Sequence, residues 1–322
     1  MKANIQNTAG SRENPGRLRA WFLMAAKDIS KNKALYAIAI PGILFYILFH
    51  YAPMYGVTIA FKDYSQAWGI MGSPWIGLEH FKTFFGSIYA WQIIRNTLLI
   101  NLYVLLICFP MPIILALLLN ELRNQSFKKV VQTVTYLPHF ISLVVMCGMI
   151  VSFVSPSGMI TQLVNFLTGK NYVNLLHEAK FFRPIYIISQ LWKNIGWNSI
   201  IYLAAISGLD MELYEAAQVD GAKKLRQLWH ITLPGIAPTI IILLIMQIGT
   251  MMTVGADKII LLYNPVIYET ADVISSHVYR KGLVENNPSY SAAVGLFNSV
   301  VNCILVYSAN WFSRKVSETS LW

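Results

Sequence analysis

Six apolar runs alternate with polar segments along the chain, at roughly residues 35–60, 96–119, 131–154, 185–207, 235–256 and 291–312. A helix rises about 1.5 Å per residue, so about 20 apolar residues cross a hydrocarbon core. One or two such runs would fit a buried soluble core. Six in series predict an all-α polytopic membrane protein with six transmembrane helices. The runs divide the chain into an N-terminal tail over 1–34, a membrane domain over 35–312 and a short tail over 313–322.

Composition agrees with that pattern. Of the 322 residues, 12 % are charged, about half the share usual for soluble domains. The net charge of +10 invites a nucleic-acid partner, but its distribution points elsewhere. With the N-terminus inside, the inner segments hold 15 of the 25 Lys and Arg, the outer connectors nine, and Lys193 falls within a run. Seven of the 15 precede the first run, from Lys2 to Lys33. This is a positive-inside bias, which predicts both termini in the cytoplasm and assigns the basicity to topology. The first run starts near Ala34 and is too long for a cleavable signal, so it is expected to serve as its own insertion signal. Cys108, Cys147 and Cys303 all lie inside runs, where packing is expected and a disulfide framework is not.

Three local features qualify the simple bundle. Leu18, Trp21, Phe22, Ala25 and Ile29 recur at helical spacing between basic residues, which fits an interfacial helix facing lipid or a plain juxtamembrane linker. Pro110 and Pro112 sit in the second run and predict a kink there, because proline removes a donor and crowds the preceding turn. The outer connectors, 61–95, 155–184 and 257–290, are long. The first is rich in aromatics such as Trp68, Trp75, Phe81 and Trp91, which suit a membrane interface or a docking surface equally.

The fourth run is unusually polar. In "SQLWKNIGWNSIIY", Gln190, Lys193, Asn194, Trp197 and Asn198 share one helical face. Gln247 and Thr250 in the fifth run, and Asn298 and Asn302 in the sixth, fall at similar depth. Polar groups in a membrane face protein or water. These residues therefore either hydrogen-bond between helices or line a path for a hydroxyl-rich cargo, for which amides and an aromatic platform are suitable partners. Lys193 can extend its stem toward the interface or attract an acidic sugar.

The longest inner connector, 208–234, has its own design. Asp210 is placed to cap a helix, with Glu212 and Glu215 in the opening turns. Gly221 is placed to end it in the left-handed conformation. Leu225, Leu228 and Trp229 then mark a second helical face, Lys223, Lys224 and Arg226 are available to lipid phosphates, and Pro234 is expected to open the fifth span.

This connector resembles the signature loop of permeases of bacterial ATP-binding-cassette importers: E-A-A, three residues, G, nine residues, then I-x-L-P. Glu215, Ala216, Ala217, Gly221, Ile231, Leu233 and Pro234 fit without a gap, Asp220 and Ala222 complete the usual D-G-A, and Trp229 stands where the family often has Phe. Further stretches, among them "GSPWIGLEHFKTFF" and "LNELRNQSFKKVVQTVTYLPHFIS", resemble the permeases that import complex oligosaccharides, over about residues 35–315. The resemblance implies a type I ABC importer permease fold in a bacterial cell membrane. It also implies a second, non-identical permease, two ATPase subunits reached through the coupling loop, and an extracellular solute-binding lipoprotein that delivers an oligosaccharide. The chain itself is expected not to be an enzyme. No G-x-x-x-x-G-K-[ST] loop occurs, and "TGK" at 168–170 lacks the first glycine. No metal-ligand spacing appears among the six histidines, and the resemblance implies that ATP and magnesium are bound by the separate ATPase subunits. An importer for a peptide, amino acid or metal chelate would keep the loop. A secondary transporter would not need it.

Overall fold

The computed structural model describes Asp28 and residues 31–316. Their secondary structure is helical, apart from one isolated antiparallel bridge between Lys62 and Trp75. The chain divides into two compact units, Met1–Val57 and Thr58–Trp322. In the first, α1 (Lys33–Tyr46) continues through a π turn at Ile47–Tyr51 into Ala52–Met54, and none of these residues is buried. The expected interfacial helix around Leu18–Ile29 lies outside the described residues, as does the chain beyond residue 316.

The second unit is built on α2 (Ile88–Glu121), α3 (Gln125–Tyr136), α4 (Leu143–Phe153), α5 (Ala179–Ser207), α6 (Met211–Val219), α7 (Lys224–Gly249), α8 (Ala256–Leu262) and α9 (Pro288–Val316). Among the described residues four helices are long and apolar enough to span a membrane, or five if one bent pair counts as a span. The expected count of six is not reached, and two of the six runs explain why. The third is not one helix: a 3-10 turn at Leu137–Phe140 follows α3, and α4 leaves at 98°. Pro138 lies in that turn, and Ser142 starts α4 afresh by accepting the Val145 N–H. The fourth run forms α5, whose 29 residues are ample to cross, but its polar cluster dilutes the apolarity.

Prolines also shape the helices that do continue. Three π turns, Ile47–Tyr51, Val104–Cys108 and Leu228–Thr232, each end two residues before a proline: Pro53, Pro110 and Pro234. A proline ring crowds the carbonyl four residues back, here Phe49, Leu106 and His230, in the middle of each turn. Widening the ladder to i→i+5 relieves that contact. The kink expected at Pro110 thus takes the form of a π turn, with the Phe109 N–H bonded to the Val104 carbonyl at 3.2 Å. Pro234 stands in the first turn of the α-helical stretch Leu233–Gly249, as expected, but the helix ahead of it carries on through the π turn, so α7 starts at Lys224 and stops at Gly249 rather than covering 235–256.

Two apolar clusters position the site. Ile100 of α2, Met146 and Cys147 of α4, Phe182 and Tyr186 of α5, and Ile259 and Leu262 of α8 form one. Ala116 of α2, Tyr202 and Ile206 of α5, and Ile236 of α7 form the other. In α2 and α5, which contribute to both clusters, residues between them line an open cleft, and the end of α7 completes it. Outward-facing apolar side chains such as Leu106, Leu118, Ile188 and Ile304 are exposed, the surface expected where lipid replaces water.

Candidate functional site

The cleft has a volume of about 380 Å³. Val104, Cys108 and Pro112 from α2, and Leu243 and Met246 from α7, give it apolar walls. Gln190, Asn194 and Asn198 from α5, with Gln247 from α7 and Thr250 just after it, bring the polar groups. The α5 spacing of four residues returns each amide to one face, so the sequence alone puts three on one wall. Each amide offers one acceptor oxygen and two donor hydrogens. A wall of amides facing apolar surface suits a neutral solute with many hydroxyls and some C–H faces.

Five of the residues expected along a cargo path thus converge: Gln190, Asn194, Asn198, Gln247 and Thr250. The others are placed differently. Trp197 stacks on His139, ring centroids 4.4 Å apart, with Phe140 edge-on at 5.7 Å. His139 Nδ1 lies 3.3 Å from Asn194 Oδ1, so the bend after α3 buttresses the amide wall from behind. Lys193 is half-buried and does not line the cleft. Asn302 accepts the Met252 N–H and donates to Thr253 Oγ1, both at 2.9 Å, which fixes the break after α7. Asn298 Oδ1 is buried without a hydrogen-bond partner among the described residues.

At the other end of α7 from this cleft stands the 208–234 connector. Asp210 caps α6, its Oδ1 accepting the Glu212 N–H at 2.9 Å, as its position predicted. After α6 the chain reverses at Gly221, whose φ is +75°. The Ala222 N–H then closes on the Ala217 carbonyl at 2.8 Å. A β-carbon at Gly221 would meet nothing within 4 Å, so glycine is required by backbone conformation and not by space. α6 buries no residue. Glu215, Ala216, Asp220, Trp229 and Pro234 are exposed, while Ala217, Ala222 and Leu233 are half-buried. Met211, Leu213, Val219 and Leu225 add exposed apolar surface, a composition suited to a protein partner.

Sequence reasoning missed the ties that hold this hairpin. The Tyr214 hydroxyl meets Thr232 Oγ1 at 2.9 Å, joining α6 to the π turn of α7. The Gln227 side chain donates to the Ala222 carbonyl at 2.9 Å. Lys224 pairs with Glu121 at the end of α2, so one of the three cations offered to lipid has a protein partner. Polar residues one helical turn from an interface were the available signal, but their partners are remote in sequence.

Comparison with known proteins places this geometry. Residues 108–318, more than half of the chain, match the family model described as binding-protein-dependent transport system inner membrane component. The protein LplB of Bacillus subtilis (strain 168) is 42 % identical over 315 residues, which cover 96 % of this chain and 99 % of that one. The polygalacturonan/rhamnogalacturonan transport system permease protein YteP of the same organism is 44 % identical, over 91 % of each chain. Among solved structures, a chain of a bacterial ABC transporter involved in import of the acidic polysaccharide alginate superposes with a TM-score of 0.84. It is 44 % identical, with 91 % of this chain and 99 % of that one covered. A second structure of a bacterial alginate ABC transporter, in complex with a periplasmic protein holding an alginate pentasaccharide, gives the same TM-score over 92 % and 99 %. The chain therefore belongs to the family of binding-protein-dependent transport system inner membrane components: it is a permease subunit of an ABC transporter and not itself an enzyme.

Proposed function

We propose that the chain is one of two unlike permease subunits of an ATP-driven oligosaccharide importer, and that the amide-walled cleft is part of the cargo path. One observation carries this: α7 runs continuously from the exposed hairpin at Lys224 to Met246 and Gln247 at the cleft. A partner that moves the hairpin thereby moves a wall of the cavity. The polygalacturonan/rhamnogalacturonan relative and the alginate importer support a saccharide cargo. The periplasmic protein in the alginate complex supports delivery by an external binding protein. Glu215, Ala216, Ala217, Asp220, Gly221 and Ala222 would seat the hairpin on an ATPase subunit, with Trp229, Leu233 and Pro234 carrying the motion into α7. ATP and magnesium would be bound by those separate subunits. Six spans with both termini in the cytoplasm complete the proposal, α5 and the bent α3–α4 pair supplying the two that apolarity alone does not single out.

The test is ATPase stimulation by sugar-loaded binding protein in the reconstituted complex. Gly221→Val forces a β-branched residue into a left-handed backbone, at roughly 1–2 kcal/mol. Glu215→Lys puts a cation where an acceptor is expected, and mismatched charges at an interface cost several kcal/mol. Both variants are expected to insert and assemble but to lose stimulation and uptake. Full stimulation and uptake in both would reduce the hairpin to a connector.

A further inference from the structure

The connector 155–184 joins the ends of α4 and α5 that lie away from the hairpin. Within it, Met159–Thr168 forms a ten-residue helix soon after α4 ends at Phe153. That helix has two unlike sides. Thr161 is fully buried, its Oγ1 donating to the Val154 carbonyl at 2.8 Å, and Val164 packs on the apolar cluster shared by α4 and α5. Met159, Leu163, Phe166 and Leu167 fall on the opposite side and are exposed, Phe166 by 85 %. Steps of four and three residues set the first three in one row, with Leu167 beside them. Gly169, at a φ of +66°, ends the helix. The Asn165 side chain then closes the return, accepting the Tyr172 N–H at 2.8 Å and donating to the Tyr172 carbonyl at 2.9 Å. The Leu175 N–H bonds the same Val154 carbonyl at 3.2 Å. The apolar row is therefore carried on a helix tied down at both ends.

Contiguous apolar surface of this kind marks an interaction site, and two observations identify what covers it. The first is continuity with the lipid-facing surface. α4, which the helix follows, leaves Val144, Val145, Val151 and Phe153 exposed, so the row begins where a span reaches the edge of the hydrocarbon. The second is charge. No acidic residue occurs between Glu121 and Glu178, whereas Lys170 directly follows Gly169 and Lys180 follows the loop, both exposed. The Lys180 Nζ donates to the Tyr172 hydroxyl at 2.5 Å and lies 4.4 and 5.0 Å from the centres of the Tyr172 and Phe181 rings. Aromatic rings beside a cation suit the headgroup layer, where apolar and charged surroundings meet.

We propose that the Met159–Thr168 helix lies in the phospholipid headgroup layer on the side of the bilayer away from the hairpin. Met159, Leu163, Phe166 and Leu167 turn into the acyl chains, and Lys170 and Lys180 stand at the phosphates. The partner of this face is a lipid surface and not a protein. Through the bonds to Val154 and Tyr172 the anchor holds the ends of α4 and α5, and with them the depth of the amide wall. It does not depend on what the cargo is.

The test places the complete transporter in nanodiscs of phosphatidylcholine and phosphatidylglycerol, with Cys108, Cys147 and Cys303 replaced by alanine. A nitroxide is attached at Leu163→Cys, at Phe166→Cys or, on the polar edge of the helix, at Gln162→Cys. Collision with oxygen, which dissolves in acyl chains, is compared with collision with a neutral, water-soluble nickel chelate. Labels at 163 and 166 are expected to meet oxygen and to be shielded from nickel, with the reverse at 162. Strong nickel collision at all three positions would leave the row in water. Shielding of 163 and 166 from both reagents would show a protein over it, whether the binding protein, a second permease or another part of this chain. Either outcome overturns the proposal. A larger share of phosphatidylglycerol is expected to deepen the nickel shielding at 166, and Lys170→Gln combined with Lys180→Gln to abolish that response. A response that survives in the double variant, or is missing from the parent, removes the lysines from the anchor. None of these results bears on the importer reading.

Discussion

Gly196 shows what a single residue contributes to the site. A β-carbon there would lie 2.2 Å from the Thr135 carbonyl oxygen, so α3 and α5 touch backbone to backbone beside Asn194 and Trp197. Gly196→Ala is therefore expected to lower stability by about 1–3 kcal/mol, read as a fall in the thermal midpoint of the purified complex. An unchanged midpoint would mean that α3 gives way easily. Gly196 was not legible in the sequence, because its need depends on a residue 61 positions away. Gly221 was legible, since a left-handed turn after a capped helix is settled within a few neighbours. The same division explains His139 and Lys258. Each meets an amide of the α5 wall, Asn194 and Gln190 respectively, from an element distant in sequence, and nothing in "LPHF" or "ADKI" announces it.

At the scale of elements, length and apolar pattern located the helices, while proline geometry decided where they bend. The π turns at 104–108 and 228–232 were readable as disturbances at Pro110 and Pro234, but not as widened turns that keep the helix going. The 98° bend after α3 escaped notice because residues 131–154 read as one apolar stretch despite Pro138. Between α2 and α7, the Glu121–Lys224 pair is largely exposed and adds under about 1 kcal/mol. The half-buried Tyr214–Thr232 bond is worth more to the hairpin. Tyr214→Phe should preserve both helices, weaken their junction by about 1 kcal/mol and lower the sugar moved per ATP hydrolysed. A variant with normal stoichiometry would show that α6 transmits force without this bond.

For the whole molecule, hydropathy and the distribution of Lys and Arg specified a helical membrane protein, but the six runs are not six equivalent helices. α5 is the exception that matters, since three of the residues that make it polar, Gln190, Asn194 and Asn198, line the cleft. Hydropathy is lowest where binding is proposed. The orientation can be tested with cysteines and an impermeant thiol reagent in intact cells. Met71→Cys, at a position 83 % exposed, should react. Gln125→Cys and Ala222→Cys should be protected until the membrane is opened. Labelling of residue 222 from outside would invert the topology and remove the hairpin from the reach of any cytoplasmic ATPase.

The unbroken course of α7 has a mechanical consequence. Its 26 residues make a rod about 39 Å long, and the widened turn at 228–232 is the place where its ladder is weakest. A fulcrum there divides the rod unequally, into an arm of about 9 Å toward Lys224 and one of about 25 Å toward Gln247. Displacement at the short arm is then magnified nearly threefold at the long one, and force is reduced in the same ratio. If a partner drives the hairpin as proposed, a small, strong stroke there would become a wide, gentle excursion of the cavity wall.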